Sequence, residues 1–199
     1  FRLHGKQEGR FFNGYYDHYC YLPLYVFCGR HLLVSYLRPS NIDGAKHSWA
    51  ITSLLVKFIR SHWPDTQIIL RADSGFCRHR MLRWCERHGV DYVVGLARNS
   101  RLQAKAEKGF VIARQMHELT GEKQRFFMPL AYAADSWGKS RFVVAKIEVS
   151  DKGDNPRFIV TSLLEEKARE LYRDLYCALG DMENRIKDQQ LNLFADRPS

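Results

Sequence analysis

A chain of 199 residues with 45% hydrophobic and 13% aromatic content can bury the core of one globular domain, which excludes a disordered or low-complexity protein. No apolar run reaches membrane-spanning length, and the opening FRLHGKQEGR lacks the apolar centre of a signal peptide, so a soluble cytoplasmic protein with no membrane partner is expected. The formal charge is +9, and between Arg71 and Arg114 ten basic residues face four acidic ones. That bias suggests a polyanion, most economically the phosphates of a nucleic acid, although a solvated basic helix gives the same composition.

Arg10 to Ser40 is dense in aromatic and β-branched residues and breaks at Cys28-Gly29-Arg30, which predicts antiparallel strands over Tyr19–Phe27 and His31–Leu37 with Pro23 at an edge or bulge. A helix is expected over Lys46–His62. Its stripe Ile51, Leu54, Leu55, Phe58 and Ile59 has the spacing of a core face, and Trp63-Pro64-Asp65 ends it. Gln67–Leu70 then reads as a short buried strand and Cys77–His88 as a helix closed by Gly89. Asp91–Leu96 is a second strand, parallel to the first through a right-handed crossover. From Arg98 to Arg125 the pattern loosens into a charged run, with a short helix around Ile112–Leu119. Phe126–Ala133, Arg141–Val149 and Pro156–Leu163 follow as mostly antiparallel strands. Glu165 to Gln190 is the longest helical pattern and is interrupted by Gly180.

Two places carry the candidate chemistry. Arg71, Asp73 and Ser74 leave the first strand of the strand-helix-strand unit at its carboxyl end, where open α/β sheets place their ligands. The same residues fit a plain helix cap or turn brace. On the last helix Tyr176, Leu179, Glu183, Lys187 and Gln190 share one face, and Glu183 with Lys187 also fits an ordinary surface pair. The five cysteines are odd in number and form no CxxC, which fits reduced thiols; Cys77, His79, Cys85 and His88 match no common zinc pattern.

The stretches EGRFFNGYYDHYCYLPLYVFCG, LRPSNIDGAKH, IILRADSGFCR, WCERHGVDYVVGLARN, NPRFIVTSL and LYCALGDMENRIKDQQLNLFADR occur in this order across nearly the whole chain. Together they resemble the DDE transposases of bacterial insertion sequences, in the group with a β-rich insertion before the final glutamate. The resemblance implies an α/β, ribonuclease H-like mixed sheet flanked by helices. It divides the chain into a first core part over 1–99, a β-rich insertion over 100–156, and a return strand with the glutamate-bearing helix over 157–199.

It further implies metal-dependent cleavage and strand transfer of double-stranded DNA, with Asp73 and Glu183 as catalytic metal ligands for Mg²⁺ (Mn²⁺ substituting) and in-line attack without a covalent protein intermediate. Hard divalent cations want oxygen ligands, and the pair of metals stabilises the attacking and leaving oxygens. Tyr176, Lys187, Arg71 and Arg78 are the implied DNA contacts, and the intact form is a homo-oligomer, nucleoid-associated when bound. Three departures accompany the match. The family's first catalytic Asp falls before Phe1, Leu179 stands where its signature has Arg, and members continue beyond the position of Ser199. The expectation is therefore a fragment truncated at both ends, with a non-catalytic DNA-binding or oligomerising remnant as the alternative. Asp17 matches a different family position and is not assigned the missing role.

Overall fold

The computed structural model describes residues 8–14, 17–164 and 167–177. They fall in two compact units, one drawn from residues 8–52 and the other from 53–177. In the first, β1 (Phe11–Asn13) pairs antiparallel with β2 (His18–Cys20), and β3 (Leu24–Cys28) with β4 (His31–Tyr36). The expected Tyr19–Phe27 strand is thus two strands, divided at Tyr21-Leu22-Pro23, because proline has no N–H for a ladder. Arg38 organises the loop that follows. Its buried guanidinium donates to the carbonyls of Leu22 (3.0 Å), Gly44 (2.9 Å) and Lys46 (2.6 Å), so a charge that would be costly to bury is satisfied by backbone.

Helix α1 (Ser48–His62) occupies the expected stretch but not with the expected face. Val56 is buried, whereas Leu54 and Phe58, assigned to the core by their spacing, are 67% and 61% exposed. The apolar residues of this helix fall on more than one side, so spacing alone does not choose the inward one.

The second unit is built on a six-stranded mixed sheet in the order β5-β6-β10-β8-β7, with β9 on β8. β5 (Ile69–Ala72) and β6 (Asp91–Leu96) are parallel and joined through helix α2 (His79–Arg87), which ends at Gly89 with φ +59°. The strand therefore begins two residues later than Gln67, which brings Arg71 into the ladder and leaves Asp73 as the first residue beyond it.

From Ser100 to Thr120 the chain forms one helix, α3, in place of the expected loose run and short helix. Asn99 caps it, its side chain accepting from the Leu102 N–H at 2.9 Å, and Gly121 closes it in the left-handed region at φ +69°. β7 (Gln124–Tyr132), β8 (Arg141–Ser150) and β9 (Gly153–Asp154) follow antiparallel, and β10 (Arg157–Thr161) pairs with both β8 and β6. This mixed sheet flanked by helices agrees with the expected fold class.

Pleating assigns the faces. Ile147 of β8 packs against α3 at Gly109, and on the same face Glu86 of α2 accepts from Arg141 (2.7 Å) and the Tyr92 hydroxyl (2.9 Å). The opposite face carries Val93, Val144 and Ile159. They are covered by the short helix α4 (Ala168–Glu170) and the π-helical turn Leu171–Tyr176 that continues it, through Leu171 and Tyr172.

On that second face, at the β7–β8 edge, Glu148 is buried among cations. Lys123, Arg125 and Lys146 reach its Oε2 at 3.1, 2.7 and 2.9 Å, and the Asn155 amide donates to Oε1 at 3.0 Å. Burial alone would raise its pKa, but the bonds from Lys146, Lys123, Asn155 and Arg125 outweigh it and hold the carboxyl well below the usual range. The folded pKa lies under the unfolded one. The network's stabilisation is therefore complete above about pH 4.5 and is lost as pH falls toward the folded value. Glu148→Gln should accordingly cost about 3 kcal/mol at neutral pH. In urea denaturation the gap from wild type should shrink on acidification below pH 4.5; a gap independent of pH would contradict this account.

Candidate functional site at the carboxyl end of β5

Strand β5 is not the buried strand expected: as the end strand of the sheet it leaves Ile69 and Arg71 exposed and Leu70 and Ala72 half-buried, and beyond Ala72 the next residue, Asp73, caps the 3₁₀ turn Ser74–Phe76. Asp73 Oδ1 accepts the Gly75 N–H at 2.7 Å, which fixes the carboxylate against its own turn while leaving the side chain exposed. The cap expected from the residues alone is therefore present. It commits one oxygen to the turn and does not exclude a further role for the carboxylate.

The turn sits directly over β6. A Cβ added at Gly95 would lie 2.7 Å from the Ser74 nitrogen, 3.1 Å from the Asp73 carbonyl carbon and 2.6 Å from the Tyr176 hydroxyl, so only glycine admits this approach. In the sequence Gly95 is simply one residue of the Asp91–Leu96 strand. A glycine inside an apolar strand is nevertheless the usual sign of a bulge or a close backbone approach, and that signal was available.

Tyr176 reaches the site from the end of the π-helical turn, where the Cys177 N–H bonds to the Tyr172 carbonyl five residues back. Its ring is 5.3 Å from that of Tyr172, which in turn lies 5.4 Å from Phe127. Burial raises the Tyr176 pKa, and the negative charge of Asp73 raises it further, so the phenol stays protonated beside the carboxylate. Arg71, one residue before the end of β5, donates from Nη1 to the Leu175 carbonyl at 2.9 Å. That bond ties the strand to the turn bearing Tyr176. Arg78 is exposed and precedes α2 as its N-cap residue.

The structure thus brings Asp73, Arg71 and Tyr176 together across Gly95 and sets Arg78 a few residues further along the same chain segment. Glu183 and Lys187 lie outside the described residues. Among the described residues no group of three or more His, Cys, Asp or Glu could hold a metal ion, so this part of the molecule offers one hard oxygen donor, Asp73, of the kind a divalent cation takes. Cys77 does not add a reactive thiol, since burial pushes its pKa up to about 11 despite Arg141 and Arg78 nearby.

A family model described as "Transposase DDE domain group 1" matches residues 1–199. No curated protein matches the chain. No helix among the described residues is long and apolar enough to cross a membrane.

The two tight glycines differ in what an added methyl group would meet. At Gly109 the nearest atom is the end of the Ile147 side chain, whereas at Gly95 the backbone nitrogen of Ser74 lies almost as near as the Tyr176 hydroxyl. Gly95→Ala should destabilise by about 2 kcal/mol through overpacking, whereas Gly109→Ala should stay within about 1 kcal/mol because helix propensity offsets the contact. Denaturant melts of the two variants provide the comparison, and an equal cost would show that the Asp73 turn yields freely.

Proposed function

Because the chain belongs to the transposase DDE domain group 1 family, whose domains act in DNA cleavage and transfer during transposition, we propose that it is the catalytic-domain portion of an insertion-sequence transposase acting on double-stranded DNA. Asp73 and Glu183 would hold Mg²⁺, or Mn²⁺ in its place. Bound there, such an ion supplies charge stabilisation for the scissile phosphate and lowers the pKa of a nucleophilic water.

The chain's own residues have distinct tasks in this reading. The Gly75 N–H holds the Asp73 carboxylate in place, so its geometry is set before any ligand arrives. Tyr176, kept protonated by burial and by Asp73, donates to a phosphate oxygen rather than competing with it for cations. Arg71 keeps the Tyr176 turn in place and, with Arg78 and Lys187, adds positive charge toward the DNA backbone. DNA supplied as transposon end and target is the partner, and the working form is a homo-oligomer.

The observation that carries the proposal is the placement of Asp73. It is an exposed carboxylate at the carboxyl end of a parallel strand, held by its own turn over a glycine that leaves no room for a side chain. The test is nicking of supercoiled plasmid by the purified chain in Mg²⁺ and in Mn²⁺. Asp73→Asn should reduce metal-dependent nicking by more than about 100-fold, beyond the effect of losing an outer-shell partner. Nicking retained by the variant would remove Asp73 from the reaction.

A further inference from the structure

Cross-strand register places a second set of cations beside the site, on residues outside the Arg71–Arg114 segment that carries the basic bias of the sequence. β5 and β6 run parallel and β10 runs against them, so the start of β10 lies at the same end of the sheet as Asp73. Arg157, its first residue, is exposed and stands directly opposite Lys146 on β8. Lys146 lies opposite Phe127 on β7, and Arg125, two residues back along β7, lies opposite Glu148. All of these share the face that carries the π-helical turn. Burial raises the pKa of Tyr172 and Tyr176, and the charge of Arg157 partly opposes that rise in both, which places Arg157 near the tyrosine that approaches the Asp73 turn.

The charges do not balance. Lys123, Arg125 and Lys146 converge on one oxygen of one buried carboxylate, and among the described residues Glu148 is the one acid with which they form ion pairs. Arg157 makes no ion pair among the described residues, and its position opposite Lys146 is a like-charge cross-strand pair that disfavours the sheet by itself. Four cations and one carboxylate leave a net positive row. The nearby acids Asp154 and Asp151 are engaged elsewhere, with Arg114 and His117. Adjacent strands lie about 4.8 Å apart, so the row from β10 to β7 covers about 10 Å, enough to meet successive charges of a nucleic-acid backbone.

We infer that the exposed Arg157, Arg125 and Lys123 form a track for the phosphate backbone of duplex DNA, running from the Asp73 turn across β10, β8 and β7, with the largely buried Lys146 adding its charge from beneath while bound to Glu148. Glu148 is its organiser: it draws three long side chains into one place without neutralising them. The track rests on the DNA-acting reading proposed above and adds to it a contact surface on the strands that follow α3. Phosphate contacts of this kind position the duplex and carry no sequence preference.

The experiment is fluorescence anisotropy of the full chain with a labelled duplex oligonucleotide across a KCl series. Wild-type affinity should fall linearly with salt on logarithmic axes, and each lost phosphate contact should reduce the slope by about 0.9. Arg157→Gln should show one such decrement. The triple variant Lys123→Gln/Arg125→Gln/Arg157→Gln should show about three and bind more weakly at every salt concentration, while Lys57→Gln on α1 should match wild type. Arg157→Gln breaks no ion pair among the described residues, so it tests the track even if the triple variant folds poorly. Wild-type slopes in both variants would overturn the track and leave the DNA reading standing. A wild-type chain without salt-dependent binding would overturn that reading and the track together.

Discussion

The close approach of the Asp73–Ser74 turn to β6 at Gly95 is the constraint on which the site depends. Three parts of the chain meet over that one missing Cβ: the turn after β5, the carboxyl end of β6 and the Tyr176 hydroxyl. Each is fixed by something else as well. The turn is held by the Asp73–Gly75 bond, β6 by two flanking strands, and the Tyr176 segment by Arg71 and by Leu171 and Tyr172 packed on the sheet. The glycine sets how near they come. A carboxylate used to hold a cation gains from such placement, because a ligand that is already oriented has little left to lose in entropy on binding.

The mixed direction of the sheet explains why positive charge collects at one end of it. A parallel pair delivers its two carboxyl ends side by side, and a third strand laid antiparallel brings its first residue to the same place. Asp73, Gly95 and Arg157 come from distant parts of the sequence yet fall on neighbouring strands. Two of the described carboxylates at this end of the sheet, Asp73 and Glu148, are used differently. Asp73 is exposed and bonded to one backbone N–H, whereas Glu148 is buried and saturated by cations. Environment separates a group available for a ligand from one committed to shaping its neighbours.

Much of this was legible in the sequence. The strand Asp91–Leu96, the helix before it, its closing glycine and the parallel pairing with β5 follow from apolar runs punctuated by turn residues. Helix α3 was hidden by its charge. The run from Arg101 to Lys108 reads as a solvated loop unless Asn99 and Gly121 are recognised as the cap and stop of a helix with a narrow apolar stripe. The exposed Leu54 and Phe58 could not be foreseen, because periodicity states that a helix has an apolar face but not which neighbour covers it. Asp73 stood out as a carboxylate beyond a strand. The convergence of Lys123, Arg125 and Lys146 on Glu148 depends on cross-strand register, which no local pattern encodes.

The double pairing of β10 also bears on how the molecule is assembled. Val94 meets Val160 across a stretch of chain about three times as long as the one between Ala72 and Val94, and closing that larger loop costs about 1 kcal/mol more in chain entropy. Residues 97–156 shorten the search by folding on themselves, since α3 packs on the β7–β8 hairpin and β10 follows that hairpin as its next strand. The segment that separates the two halves of the site in sequence therefore guides the second half back to the first. The approach of Tyr176 to the Asp73 turn over Gly95 is a long-range closure of this kind, and by contact order it is expected to follow the local meander.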